Sequence, residues 1–201
     1  MLLETERLIL RDWTNEDVYD LVDGLNNIEV SKWLVTVPYP YTRENAEWFI
    51  GLCTKSSEGS ETKNSYELAI ELTSEKKVIG GTSINKISAL HKTAGGGIWI
   101  NAAYHGYGYG TEAYGKRIEF AFSTLNLRRL ENGYLEGNLA SMKMQEKLGY
   151  VVEGKRRKGF FCMADGQLKD EHTTALLIDD RRKVQSGNIT NEYANTIHLC
   201  D

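Results

Sequence analysis

No apolar run in this sequence approaches the roughly 20 residues a membrane span needs, so no membrane-spanning segment is expected. Cysteine is scarce. Cys53, Cys162 and Cys200 stand far apart and form neither a disulfide framework nor a zinc motif. His91, His105, His172 and His198 are equally scattered, and no metal site is read. Charge of one sign is also lacking: 24 Lys+Arg against 28 Asp+Glu leave a formal net charge of −4. That balance disfavours a general nucleic-acid binder. Residues 1–6 lack the basic start and apolar core of a signal peptide, so a cytoplasmic protein is expected. The two prolines, Pro38 and Pro40, both fall within residues 33–41, which read as an irregular loop rich in aromatics.

What is present fits one soluble domain. With 201 residues, 41% hydrophobic and 26% charged, the chain suffices for one well-buried core and is short for two. Residues 7–13 read as a first strand, and Thr14 with Asp17 three positions on reads as a helix start. Val18, Leu21, Val22 and Leu25 then share a helical face. A second helix after Thr42 carries Ala46, Trp48, Phe49 and Leu52. Residues 55–64 are polar and read as mobile. Residues 66–72 and 78–87 form an expected hairpin, and residues 96–101 a fourth strand. The next helix has Tyr114, Ile118, Ala121, Phe122 and Leu125 on one stripe. Residues 129–135 are a fifth strand, and residues 139–148 a helix stopped by Gly149. Residues 150–160 and 168–178 are strands turned by Ala164-Asp165-Gly166. The expected fold class is α/β (α+β), a mixed sheet with helices on both faces. The domain is placed at residues 1–180, with a polar C-terminal tail over 181–201.

The most informative stretch is His105-Gly106-Tyr107-Gly108-Tyr109-Gly110-Thr111, between an apolar strand and an amphipathic helix. Glycine permits φ > 0 and close approach of a ligand to the main chain. The following helix begins with free N–H groups and the positive end of its dipole, a ready anion site. A Walker loop is excluded, because Gly-Lys-Ser/Thr is not at its end. A dinucleotide fingerprint is disfavoured, because the run lies past the midpoint and no acidic ribose ligand follows about 20 residues on.

Residues 98–113, followed by Asn138-Leu139-Ala140-Ser141 and Lys147-Leu148-Gly149-Tyr150, resemble the GNAT acetyltransferase superfamily. Residues 4–11 at the opening, and Glu153-Gly154-Lys155-Arg156 with Asp165-Gly166 and Asp170 at the close, are similar to its Rim-type branch of ribosomal-protein N-terminal acetyltransferases. The resemblance spans about residues 3–180. It implies acetyl-CoA as donor, coenzyme A as product and a primary amine as acceptor. It also implies a mostly antiparallel sheet whose fourth and fifth strands splay like a V around pantetheine. By position it assigns the pyrophosphate to the main chain of Gly106, Tyr107, Gly108, Tyr109, Gly110 and Thr111. His105 stands where the family usually has Arg or Gln. Ile98 and Ile100 would pair their backbone with the pantetheine amides, Asn138 would contact the pantetheine arm, and Ser141 would lie near the thioester sulfur. The bare residues leave another option for that pair, since Asn138 suits a helix cap with Ser141 in the first turn. Many relatives form homodimers, so a second copy of the chain is one expected partner.

Acetyl transfer to an amine needs a free lone pair, in-line attack, donors for the oxyanion and relief for the leaving thiolate. A strand-four N–H near residues 98–100 is the expected oxyanion donor, and Ser141 a donor to sulfur. The glutamate many family members carry at the start of that strand is missing, because Gly95 occupies the position. Glu67 and Glu71 share one strand face and are the candidate bases, Glu67 first. A solvated face, with a water chain as base, is the alternative. Trp33, Tyr39, Tyr41, Tyr107 and Phe160 are candidate acceptor-groove residues, and Arg156, Arg157 and Lys158 a basic cluster. The main expectation is acetylation of a protein or peptide α-amine. The alternatives are a small amine (amino acid, polyamine or aminoglycoside) or a non-catalytic acetyl-CoA-binding module.

Overall fold

A computed structural model describes residues 1–57 and 64–185. Its strands are β1 (Leu2–Glu4), β2 (Leu8–Asp12), β3 (Tyr66–Leu72), β4 (Lys77–Ser88), β5 (Thr93–Gly95), β6 (Ile98–Ile100), β7 (Arg129–Leu135), β8 (Val151–Phe161) and β9 (Leu168–Leu177). Its helices are α1 (Val18–Leu25), α2 (Ile28–Ser31), α3 (Arg43–Ser57), α4 (Tyr109–Ser123), α5 (Leu139–Lys147) and α6 (Ile178–Gln185). The strands lie in the order β1-β2-β3-β4-β5-β7-β9-β8, with β6 also on β4. Every pairing is antiparallel except β5 with β7.

Alternation along β3 explains the layers. Leu68, Ile70 and Leu72 pack with Leu8, Leu10 and Ala113 of α4. Ala69 faces the other way, into the cluster of Val18, Leu21, Ala46 and Ile50 from α1 and α3. On the far half of the sheet, Tyr114, Ile118 and Ala121 of α4 close over Ile84, Leu130 and Leu176. The α4 helix therefore spans both halves of the sheet on one face, and α1 and α3 cover the other. No described helix is long and apolar enough to cross a membrane.

Several expectations change in detail. The first strand becomes a hairpin, because Leu2–Glu4 adds to its edge. The expected start at Thr14 and Asp17 holds as a capping box, in which the Asp17 carboxylate takes the Thr14 N–H at 2.8 Å. Trp48 and Leu52 turn outward from α3, 67% and 46% exposed, and Ala46 and Ile50 form its buried face. The α3 helix runs on to Ser57, so the start of the 55–64 segment is helical, and residues 58–63 lie outside the described residues. The boundary at residue 180 falls inside α6. The rest of the tail from residue 186, Cys200 included, lies outside the described residues.

The fourth strand, expected over residues 96–101, starts earlier, at Thr93, and is broken. Gly96, at φ +139°, interrupts it between β5 and β6. Only β5 touches the fifth strand, through Thr93↔Arg129 and Ala94↔Leu130. Past the break β6 stays on β4, with Thr82↔Ile98 and Gly80↔Ile100, and shares no register with β7. The sheet opens there into the expected V.

Candidate active site

A cavity of about 980 Å³ fills the opening. Its walls are Gly97 to Ile100 on one side, Asn132 to Leu135 on the other, the glycine loop at one end and the 29–37 segment at the other.

The free edge of β6 faces the gap. Ser83 N–H donates to the Gly97 carbonyl at 2.9 Å, and Asn101 N–H to the Ile79 carbonyl at 2.8 Å. Period-two alternation then turns the main-chain groups of Ile98 and Ile100 away from β4. The Ile100 carbonyl meets His105 Nε2 at 2.7 Å. A carbonyl only accepts, so that nitrogen carries the proton. His105 is thus turned onto the strand edge at the mouth of the glycine loop.

In the loop, Gly106 and Gly108 sit at φ +86° and +84°, and Gly108 is the N-cap of α4. This left-handed backbone aims successive N–H groups into one concavity. Among the described residues, no acceptor meets the main-chain N–H groups from Gly106 to Thr111. His105, Gly106, Gly108, Tyr109, Gly110 and Thr111 line the cavity. Tyr107 does not; its ring stacks on Tyr109, with centroids 5.9 Å apart. Arg7 braces the loop from outside, donating to the Tyr107 carbonyl at 3.1 Å and to Glu112 at 2.7 Å. Lys143 and Lys147 add exposed positive charge at the rim. Orphan donors, a helix N-terminus and two lysines are the chemistry a pyrophosphate requires.

Asn138 is the N-cap of α5, its Oδ1 accepting from Ser141 N–H at 3.1 Å. It also lines the cavity, so capping and contact with a ligand are compatible. Ser141 Oγ accepts from Gln145 Nε2 at 3.0 Å, which leaves its own O–H free to donate into the cavity. The sequence reading missed Gln145. It is 1% exposed, and it is held by the Gly133 carbonyl at 3.0 Å and the Thr174 hydroxyl at 2.6 Å. Its signal is the i, i+4 spacing from Ser141.

The two candidate bases separate. Glu67 lines the cavity, and burial pushes its carboxyl up to about 7 against the opposing pull of the Arg117 charge. Glu71 lies 2.6 Å from Arg11, which also holds Asp17, and it does not line the cavity. A second carboxylate, Glu171, was also missed by the sequence reading. It packs on Gly133 in the cavity wall and lies 3.2 Å from Arg156. Its Oε2 is buried without a hydrogen bond, and desolvation raises its carboxyl. Register on β9 places it opposite Leu135 and Arg156, information absent from local periodicity. Arg156 of the basic cluster is thereby paired, and Lys158 N–H donates to Asp170 at 2.8 Å.

Trp33 and Phe160 line the far end of the cavity with Trp13, Val30, Leu34 and Phe49. Tyr41 is instead core, 5% exposed, and Tyr39 and Tyr107 lie outside the lining. The tip of the β8–β9 hairpin fixes the 32–37 segment. Met163 N–H donates to the Val35 carbonyl at 3.1 Å, and Lys169 Nζ to the Lys32 carbonyl at 2.6 Å.

The acetyltransferase (GNAT) domain profile matches residues 7–151. The chain belongs to the GNAT acetyltransferase family. The N-acetyltransferase p20 of Bacillus licheniformis is 30% identical over 175 residues, covering 87% of this chain and 95% of that protein. The crystal structure of ribosomal-protein-S5-alanine acetyltransferase from Vibrio fischeri superposes with TM-score 0.76 at 21% identity, over 90% of this chain and 98% of its own. Spermidine N-acetyltransferase from Vibrio cholerae, solved with CoA and spermine, gives TM-score 0.73 at 21% identity, over 89% and 99%. This GNAT enzyme is therefore an acetyl-CoA-dependent N-acetyltransferase.

Proposed function

We propose that this GNAT enzyme acetylates the α-amine of a protein or peptide N-terminus. The observation that carries the proposal is the make-up of the cavity wall: apolar Trp13, Val30, Trp33, Leu34 and Phe49 share it with the half-buried carboxylate of Glu67, and the other two carboxylates of the wall, Glu29 and Glu171, are already paired with Lys32 and Arg156. Such walls suit an apolar first side chain bearing a single ammonium. The basicity of Glu67 points the same way. A carboxyl near 7 lies about one unit below an α-ammonium and more than about three units below a lysine-type ammonium. It is therefore better matched to the former.

In this scheme the pyrophosphate of acetyl-CoA sits on the Gly106–Thr111 amides, and the edge of β6 pairs with pantetheine. Glu67 takes the ammonium proton, directly or through one water. The amine nitrogen attacks the thioester carbonyl, and Ile98 or Ile100 N–H stabilises the oxyanion. As the intermediate collapses the C–S bond breaks, the nitrogen gives its second proton to the departing sulfur through water, and the Ser141 O–H donates a hydrogen bond to that sulfur. Removing that donor costs about 2 kcal/mol, or about 30-fold in rate. The Ser141→Ala protein is expected to show that fall in kcat with an unchanged acetyl-CoA Kd. Equal turnover would leave Ser141 as a helix residue only.

A polyamine acceptor is the second reading. It is favoured by Glu171, a further carboxylate in the wall whose Oε2 accepts no hydrogen bond although it lies 3.2 Å from Arg156, and by the likeness to the spermidine enzyme. Coenzyme A release with free-α-amine peptides, the same peptides blocked at the α-amine but carrying internal lysine, and spermidine decides between them. Free-α-amine peptides are expected to exceed both others by about 100-fold in kcat/KM, the scale on which a site rejects a mismatched group. Preference for spermidine would establish the polyamine reading, and preference for the blocked peptides would overturn both.

A further inference from the structure

Arg117 is 0% exposed, and among the described residues it forms no ion pair with a carboxylate. Buried arginines ordinarily sit against carboxylates, because an isolated interior charge is costly. The partners of Arg117 are neutral. Its Nε donates to the Ser83 carbonyl at 2.6 Å, Nη2 to the Gly95 carbonyl at 2.8 Å and Nη1 to the Tyr150 hydroxyl at 3.4 Å. Its guanidinium carbon lies 4.5 Å from the Tyr114 ring centroid.

The two carbonyls belong to the place where the sheet opens. In an unbroken ladder Gly97 N–H would bond the Ser83 carbonyl, returning the bond Ser83 N–H makes to Gly97. Here Gly97 N–H goes to the Ser83 hydroxyl at 3.1 Å, and the Ser83 carbonyl turns to Arg117. The Gly95 carbonyl stands where β5 parts from β7, and it too turns to Arg117. A side chain at Gly96 would collide with Nη2, so the break and the arginine fit each other. Arg117 replaces the hydrogen bonds that the V removes.

The charge is also well placed. Glu67 pairs in register with Ser83, whose carbonyl Arg117 holds. Glu67 shares the α3 face of β3 with Ala69, and Arg117 reaches the neighbouring β4, at Ser83, from α4. The other titratable groups around Glu67 do not compensate Arg117. The Cys53 thiol of α3 is pushed up to about 12 and stays neutral. Asp12 of β2 is paired with the chain's amino terminus. Glu171, on the far side of the cavity, is paired with Arg156.

We propose that Arg117 is a positioning residue of the acetyl-transfer site: its guanidinium holds the strand break at Gly95–Gly97 open and stands as a permanent positive charge behind the reacting centre, opposite Glu67. The fork presents the outward N–H groups of β6, and the charge favours both the ionised base and the oxyanion. The inference rests on the assignment of Glu67 as base.

The test compares Arg117→Met, which keeps the length and loses the charge, with Arg117→Lys, which keeps the charge and loses the fork. Acetyl-CoA affinity is read by calorimetry, and the pH profile of kcat/KM with a free-α-amine peptide is read by coenzyme A release. Arg117→Met is expected to lose tenfold or more in kcat, with the acidic limb moved up by about one pH unit, the loss of one nearby opposite charge. Arg117→Lys is expected to keep the wild-type limb and bind acetyl-CoA several-fold more weakly. A folded Arg117→Met protein with the wild-type limb and kcat would overturn the proposal. If Arg117→Met does not fold, Arg117→Lys decides, because a limb that moves although the charge is retained would also overturn it. Glu67→Gln separates the two assignments. If it keeps the limb, Glu67 is not the base. If it loses the limb and Arg117→Met does not move it, Arg117 alone has been misassigned.

Discussion

A Gly108→Glu protein folds and fails to bind acetyl-CoA. Gly108 is the exposed N-cap of α4 at φ +84°, ψ 0°, a conformation L residues adopt at a cost of about 1–2 kcal/mol. A loss of that size leaves an ordinary domain folded. The larger effect falls on the ligand. The new carboxylate enters the concavity of unpaired amides to which the proposed scheme assigns the pyrophosphate, and it would repel that group. A Cβ at this position lies 3.6 Å from Arg7 Nη2, so the carboxylate also competes with Glu112 for Arg7 and loosens the brace on the loop. Together these effects are expected to weaken acetyl-CoA binding at least about 100-fold, near 3 kcal/mol. Gly108→Ala isolates the backbone cost and is expected to weaken binding about tenfold or less. Calorimetry on both proteins checks the pair. Unchanged affinity in a folded Gly108→Glu protein would mean that the loop does not hold the pyrophosphate.

The loop was legible because glycine at alternate positions between a strand and an amphipathic stripe has few structural causes. Ser141 and Glu67 were legible for similar reasons, through a motif in one case and strand-face alternation in the other. Arg117 was not, although its position carries a signal. It lies three residues after Tyr114 and four before Ala121, inside the apolar stripe of α4, where a charge is out of place. What it satisfies are carbonyls freed by a strand break, and no local pattern announces those. Glu71 shows the converse. Alternation put it beside Glu67, but the Arg11–Asp17 pair that engages it comes from another strand and a capping turn. Gln145 and Glu171 likewise depend on pairings between β7 and β9 that only the assembled sheet sets.

Glu67→Gln is expected to stabilise the protein while disabling it. The active form is the carboxylate, so wild-type kcat/KM should rise with pH through about 7 and level off above. Removing the base should lower the plateau about 100-fold or more and abolish the limb. The stability effect runs the other way. A buried carboxyl with a raised pKa binds its proton more tightly folded than unfolded. Between its ordinary range and about 7 the native state therefore holds the extra proton, and stability falls as pH rises through that window. By pH 8 the ionised, partly buried Glu67 costs about 2 kcal/mol. The amide of Gln fills the same space without that charge. Thermal unfolding should therefore show Glu67→Gln above the wild type at pH 8 and level with it near pH 5, where Glu67 is protonated. Equal unfolding temperatures at both pH values would mean the carboxylate is not held under strain, and its assignment as base would lose its physical ground. A destabilising ionised group is what a stability–activity trade-off leaves at a working site, and in the proposed scheme Glu67 shares its cavity with the groups it would act beside, the edge of β6 and the Ser141 hydroxyl.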